Sequence, residues 1–141
     1  MKDAIAQELA RHPDVRLAYL FGSRANGRAT PGSDWDIAVL LDRGGAPGRP
    51  LELAGLIEER LGMRCDVVSL NESPIEFSSR VILEGQRLSV QREDPVEYEA
   101  NILARASVQR PLLERQRREI VEGNAGGRAV ERYRKALGTT R

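Results

Sequence analysis

The chain has 141 residues, 40% of them hydrophobic, and a formal net charge of +1 at pH 7. That length is one ordinary domain with room for an appendage, and the near-neutral charge supplies no field that argues for nucleic acid or an acidic membrane as partner. No apolar run reaches membrane-spanning length, the N-terminus lacks the apolar stretch of a signal peptide, and the single cysteine, Cys65, cannot close an internal disulfide, so a cytoplasmic setting is expected.

In chain order, residues 2–12 predict a helix. Ile5 and Leu9 lie one turn apart among alanines, and Pro13 stops the run. His12 falls at its end, where a surface residue is expected rather than a catalytic one. Residues 15–21 are almost wholly apolar after Arg16 and predict a central strand ended by Gly22. Residues 23–33 contain Gly27, Pro31 and Gly32 and predict a short helical turn followed by a loop. A second strand is expected over 35–42, then a flexible connection over 43–48.

A helix from about Pro50 to Leu61 carries Leu53, Leu56, Ile57 and Leu61 as one apolar stripe, with Gly62 closing it. Residues 64–70 predict a third strand, reached from the second by a helical crossover. Ser73-Pro74-Ile75-Glu76 has the pattern of a capping box with proline at the first helical position, opening a helix to about Glu84. Arg87 to Val90 predict a short edge strand. Asp94-Pro95-Val96-Glu97 repeats the capping pattern and opens a helix with Ile102, Leu103 and Ala106 on one face, broken or kinked at Pro111.

Residues 112–122 continue helically, 123–127 form a Gly-rich linker, and 128–141 are a frayed helix or mobile tail. The chain thus divides into residues 1–92, a helical extension 93–122, and a linker with basic tail 123–141. The fold class is α/β or α+β, a small mixed sheet flanked by helices.

The densest chemistry lies at Gly22-Ser23 and Asp34-Trp35-Asp36. Strand alternation points Asp34 and Asp36 one way and Trp35 and Ile37 the other. Two carboxylates on one face repel, and a divalent cation is the simplest remedy; oxygen-only ligation favours Mg²⁺ or Mn²⁺. Asp66, in the third strand, joins them if that strand lies beside the second. Three carboxylates with one or two such ions suit displacement at a nucleoside triphosphate. Gly22 lets the backbone approach a phosphate, Ser23 offers a hydroxyl and an amide at the start of a helical turn, and Arg24 and Arg28 are near enough in sequence to pair with phosphate.

Gly22-Ser23-Arg24-Ala25, then Gly27, Ala29 and Pro31, then Ser33-Asp34-Trp35-Asp36, resembles the signature of the minimal nucleotidyltransferases, and within them the MntA-type antitoxins that accompany HEPN-domain toxins. The resemblance covers about residues 1–92. It implies a DNA-polymerase-β-like nucleotidyltransferase fold, Asp34 and Asp36 as Mg²⁺ ligands, and Asp66 as the third carboxylate, ligand or general base. It further implies Gly22, Ser23 and Arg24 at the nucleotide, with Ser23 on the triphosphate. The implied activity is transfer of AMP from ATP to a tyrosine hydroxyl of the partner toxin, in a hetero-oligomer. Trp35 replaces the smaller aliphatic residue common between the two acids, and is expected to face the core.

Other readings compete. Asp66 is otherwise an exposed strand residue, and Arg24 and Arg28 are otherwise surface salt bridges. Cys65 reads as a small core residue, Tyr98 and Tyr133 as packing or tail residues, and Arg115-Gln116-Arg117-Arg118 as a solvated helix face rather than an RNA site. For the activity, the alternatives are nucleotide transfer to a small molecule such as an aminoglycoside, and an antitoxin that blocks its toxin by occlusion through the helix of residues 94–122.

Overall fold

The computed structural model describes residues 1–107, the side chain of Gln91 excepted. The elements are α1 (Lys2–Ala10), β1 (Val15–Phe21), α2 (Ser23–Asn26), β2 (Trp35–Leu41), a 3-10 turn (Asp42–Gly44), α3 (Arg49–Leu61), β3 (Cys65–Ser69), α4 (Ile75–Glu84) and β4 (Gln86–Gln91). A last helix, α5, occupies residues 95–107. The linker and tail expected over 123–141, and the second half of the extension expected over 93–122, including the break expected at Pro111, lie outside the described residues.

The strands form one mixed sheet in the order β3-β2-β1-β4. β1 is antiparallel to β2 and to β4, whereas β2 and β3 are parallel. Parallel neighbours need a crossover, and α3 supplies it, as expected from the apolar stripe of residues 53–61. β4 is the edge strand expected over 87–90.

Both faces of the sheet are covered, which is why β1 is apolar at successive positions rather than alternate ones. On one face Ala18, Leu20, Ile37, Val39 and Val67 pack with Ile5 and Leu9 of α1 and with Leu53 and Ile57 of α3. On the other, Leu17, Tyr19, Phe21, Ala38 and Val68 pack with Phe77 and Val81 of α4. Phe21 meets Phe77 edge to face, ring centres 5.6 Å apart.

The two capping patterns have different outcomes. At α5 the Asp94 carboxylate accepts the Val96 amide at 3.0 Å, so the cap forms as expected. At α4 it does not: the helix begins at Ile75, Pro74 precedes it, and no side chain caps it. Ser73 instead donates its hydroxyl to the carbonyl of Ser69 at 2.7 Å, tying the turn back to the end of β3.

His12 likewise departs from the expected bare surface position. Its Nε2 lies 3.2 Å from the buried Glu8 carboxylate, and Arg49 donates to its Nδ1 at 3.1 Å, joining the end of α1 to the start of α3.

α5 packs back on the domain. Ile102 is buried, Tyr98 packs against the hydrophobic cluster on the α4 face of the sheet, and Glu99 accepts the Tyr19 hydroxyl at 2.7 Å.

Candidate active site

β1 ends in a turn that only glycine makes comfortably. Gly22 has φ 75° and ψ −158°, and its carbonyl accepts the amides of Ala25 and Asn26 as the first bonds of α2. The turn presses against an acid: a Cβ added at Gly22 would lie 2.3 Å from Oδ2 of Asp36. Ser23, next in the chain and half-buried, is the first residue of α2.

The acids come from two neighbouring strands. Asp36 is paired across the ladders with Phe21 on one side and with Asp66 on the other. Paired positions share a face of the sheet, so the Asp36 and Asp66 side chains project the same way. Asp36 is 1% exposed and Asp66 is half-buried. Burying one carboxylate beside a second is unfavourable without compensating positive charge or donors.

Asp34 shows a different arrangement. It precedes β2, and its Oδ1 lies 3.5 Å from Nε of Arg64, a side chain 84% exposed. Among the described residues no three histidine, cysteine or acidic side chains are gathered closely enough to hold a metal ion as they stand. The expected meeting of three carboxylates is thus found for Asp36 with Asp66, while Asp34 is turned outward.

The donor set nevertheless suits a hard divalent cation. All three groups are carboxylates, and two of them are already paired. The Asp34–Arg64 contact is a surface ion pair of the kind worth about 0–1 kcal/mol, so its release is cheap.

Arg24 is engaged by its own loop rather than in a surface salt bridge. Its Nη2 donates to the carbonyls of Ser33 at 2.9 Å and Pro31 at 3.3 Å, and its Cζ lies 4.6 Å from the centre of the Trp35 ring. Trp35 is partly buried against the α1–α3 side of the core, the face opposite the acids. The arginine therefore clamps the loop that delivers Asp34 to the start of β2. Within that loop Thr30 and Ser33 exchange backbone and hydroxyl hydrogen bonds.

Cys65 packs against the core as expected, and its thiol is pushed up to about 12, first by burial and then by the carboxylates of Glu58, Asp66, Asp36 and Asp34. All three candidate acids thus act on one point at the start of β3. A thiol held so high stays protonated and unreactive at neutral pH.

An open groove of about 690 Å³ adjoins the acids, lined on one side by α3 and on the other by the start of β3. Asp34 and Asp66 both line it, together with Glu58 and Arg64, which the sequence reading did not single out. Arg64 directly precedes β3 and its carbonyl accepts the Trp35 amide, so the pairing of β2 with β3 was the signal that would have placed it.

The model of the family described as "Polymerase beta, Nucleotidyltransferase" matches residues 3–94. No curated protein matches the sequence. Among solved structures, a chain of a doubly substituted MntA-HpeT toxin–antitoxin is 22% identical with a TM-score of 0.68, covering 81% of this chain and 96% of its own. A chain of a toxin–antitoxin crystallised with AMP-PNP is 24% identical with a TM-score of 0.68, covering 80% and 95%. A chain of the complex between a tri-AMPylated Shewanella oneidensis HEPN toxin and its MNT antitoxin is 21% identical with a TM-score of 0.60, covering 81% and 97%. At these identities the structures share the fold. With the Gly22–Ser23 turn against Asp36, and Asp36 beside Asp66, the match over residues 3–94 shows that the chain belongs to the polymerase-beta nucleotidyltransferase family.

Proposed function

We propose that this protein is an Mg²⁺-dependent nucleotidyltransferase antitoxin that transfers AMP from ATP to a tyrosine hydroxyl of a HEPN-domain toxin and thereby neutralises it. The observation that carries the reading is the direct pairing of Asp36 with Asp66 while the Gly22 backbone packs on Asp36. The similar toxin–antitoxin complexes, one with AMP-PNP and one with an AMPylated toxin, support the choice of nucleotide and acceptor.

Asp34, Asp36 and Asp66 would hold the cation, Mg²⁺ or Mn²⁺. When bound, it neutralises phosphate charge and stabilises the charge that develops on the transferring group. Ser23 binds the triphosphate through its hydroxyl and amide, with Gly22 allowing close backbone approach. Gly22 also fixes the Asp36 carboxylate. Arg24 serves the same site indirectly, by fixing the loop before Asp34.

In the transfer, the tyrosine oxygen forms a bond to the α-phosphorus. The bond from that phosphorus to the α–β bridging oxygen breaks, and its electron pair leaves with pyrophosphate. Asp66 receives the hydroxyl proton as general base.

Occlusion without chemistry is the weaker reading, because α5 turns Tyr98, Glu99 and Ile102 inward on its own domain.

The test is intact-mass analysis of a HEPN-domain toxin after incubation with this protein and Mg-ATP. Addition of AMP is expected with the wild type and none with Asp34→Asn or Asp36→Asn. Undiminished addition with these variants would defeat the assignment.

A further inference from the structure

The pairing of Asp36 with Asp66 depends on how firmly β3 begins. β3 is an edge strand, paired with β2 alone among the described residues. One side of its backbone therefore needs partners from outside the sheet. At its start, the Trp35 amide of β2 donates to the Arg64 carbonyl at 3.0 Å. The C=O and N–H of one trans peptide point in opposite directions, so the Cys65 amide faces away from β2. Glu58 of α3 meets it there, its Oε2 accepting the Cys65 amide at 3.1 Å.

The Arg64–Cys65 peptide is thus gripped from both sides, by a strand on one and by a helix side chain on the other. Its place in the ladder is specific. Trp35 pairs with Cys65 at the first rung, and the next rung is Asp36 with Asp66. Fraying of a strand starts at its end, so loss of the first rung exposes the acid pair next.

Glu58 also closes the helix from which it reaches. Its carbonyl accepts the amide of Gly62, the residue that ends α3, at 2.9 Å. Between α3 and β3 lie only Gly62, Met63 and Arg64. One residue therefore fastens both ends of this connection, with its main chain at the exit from α3 and its side chain at the entry to β3. A carboxylate that accepts an amide makes a charge-assisted bond, stronger than a neutral one.

We propose that Glu58 is a positioning residue for the acid pair. Its bond to the Cys65 amide holds the start of β3 against β2 and so sets Asp66 beside Asp36 for a divalent cation. The inference rests on the proposed function in one respect, that these acids hold such a cation. It needs the acceptor oxygen of Glu58 at the amide, acting through the backbone.

Two variants of the full chain have equal charge and differ in that oxygen. Glu58→Gln keeps an acceptor that reaches the amide, and Glu58→Ala removes it. Both residues are good helix formers, and Glu58 is exposed, so neither change opens the core. Mn²⁺ affinity of the nucleotide-free protein is read by electron paramagnetic resonance, and exchange of the Cys65 amide by NMR, with Asp36→Asn alongside.

Glu58→Ala should bind Mn²⁺ about fivefold more weakly than Glu58→Gln, the scale of one hydrogen bond. Its Cys65 amide should exchange about tenfold faster. A bond that only stabilises the fold would alter exchange and leave the two Mn²⁺ affinities equal, which overturns the positioning role. A loss as deep in Glu58→Gln as in Glu58→Ala makes the charge the active element and overturns it too. Asp36→Asn tells the two readings apart. Unchanged Mn²⁺ affinity in that variant sinks the cation site of the proposed function and this inference with it. Loss of affinity there, with equal affinities in the two Glu58 variants, sinks the role of Glu58 alone.

Discussion

The guanidinium of Arg24 lies 4.6 Å over the indole ring of Trp35 while donating to the carbonyl of Ser33 at 2.9 Å. One side chain of α2 is thereby fastened to both ends of a short path, the last loop residue and the first strand residue, with Asp34 between them. Arg24→Gln should leave the fold standing, lose a cation–π contact worth about 0.5–2 kcal/mol, and loosen residues 28–34. Hydrogen exchange of the nucleotide-free protein checks this. Faster exchange confined to that loop is expected, and Arg24→Lys should behave similarly because an ammonium lacks the planar fork. Unaltered exchange with weakened ATP binding would return Arg24 to the phosphate.

Gly22→Ala should damage both stability and activity. The new methyl group would sit 2.3 Å from Oδ2 of Asp36 at a φ of 75°, so the turn or the carboxylate must move. A loss of about 1–3 kcal/mol is expected from strain and overpacking, together with a fall in AMP transfer out of proportion to the unfolded fraction. Gly27→Ala is the control, with a φ of 78° but open space around its Cβ. Urea unfolding beside an activity assay separates the two.

The buried Tyr19 hydroxyl depends on α5. Glu99 accepts it at 2.7 Å and is itself held by Arg87, with Nη2 to Oε2 at 2.8 Å. Burial and the neighbouring carboxylate push the phenol far above its ordinary value, so it stays a donor at any pH the fold tolerates. Glu99→Ala should strand that donor and destabilise the protein by about 1–3 kcal/mol. Tyr19→Phe should be milder, because Arg87 still satisfies Glu99. The difference in urea midpoint between the two variants is the measurement, and equal midpoints would detach α5 from the stability of the sheet.

Acid should weaken the junction of the β1 entrance with α3. Arg49 grips Asp14 through Nε to Oδ2 at 2.8 Å and Nη2 to Oδ1 at 2.9 Å. That grip holds the Asp14 carboxyl below its ordinary 3.8. A carboxyl lowered in the folded state contributes stability that is complete above its unfolded value and is lost as pH falls through the folded one. Stability should therefore decline below about pH 4, and Asp14→Asn should flatten that decline. An identical acid limb in the variant would remove Asp14 from the account.

Much of this architecture was legible because its signals are local. The apolar run 15–21, the stripe of Leu53 and Ile57, and the Asp94 cap each follow from spacing within one element, and each is found. The pairing of Asp36 with Asp66 was legible only conditionally, since it needed β3 to lie beside β2. What escaped the sequence depends on contacts between elements. Ser73 has a tertiary partner in Ser69 that outcompetes its own helix end. Arg24 finds two carbonyls and an aromatic face within its reach, which no local pattern encodes. His12 becomes a bridge because α3 starts beside the end of α1. The outward turn of Asp34 follows from Arg64, a neighbour across the β2–β3 junction rather than along the chain.

The crossover through α3 has a kinetic corollary. Asp36 and Asp66 come into register only after a whole helix has been laid across the sheet and two parallel strands have zipped together. Pairing of that non-local kind is slow compared with helix or hairpin formation. A newly made chain would thus complete its pair of acids late in folding.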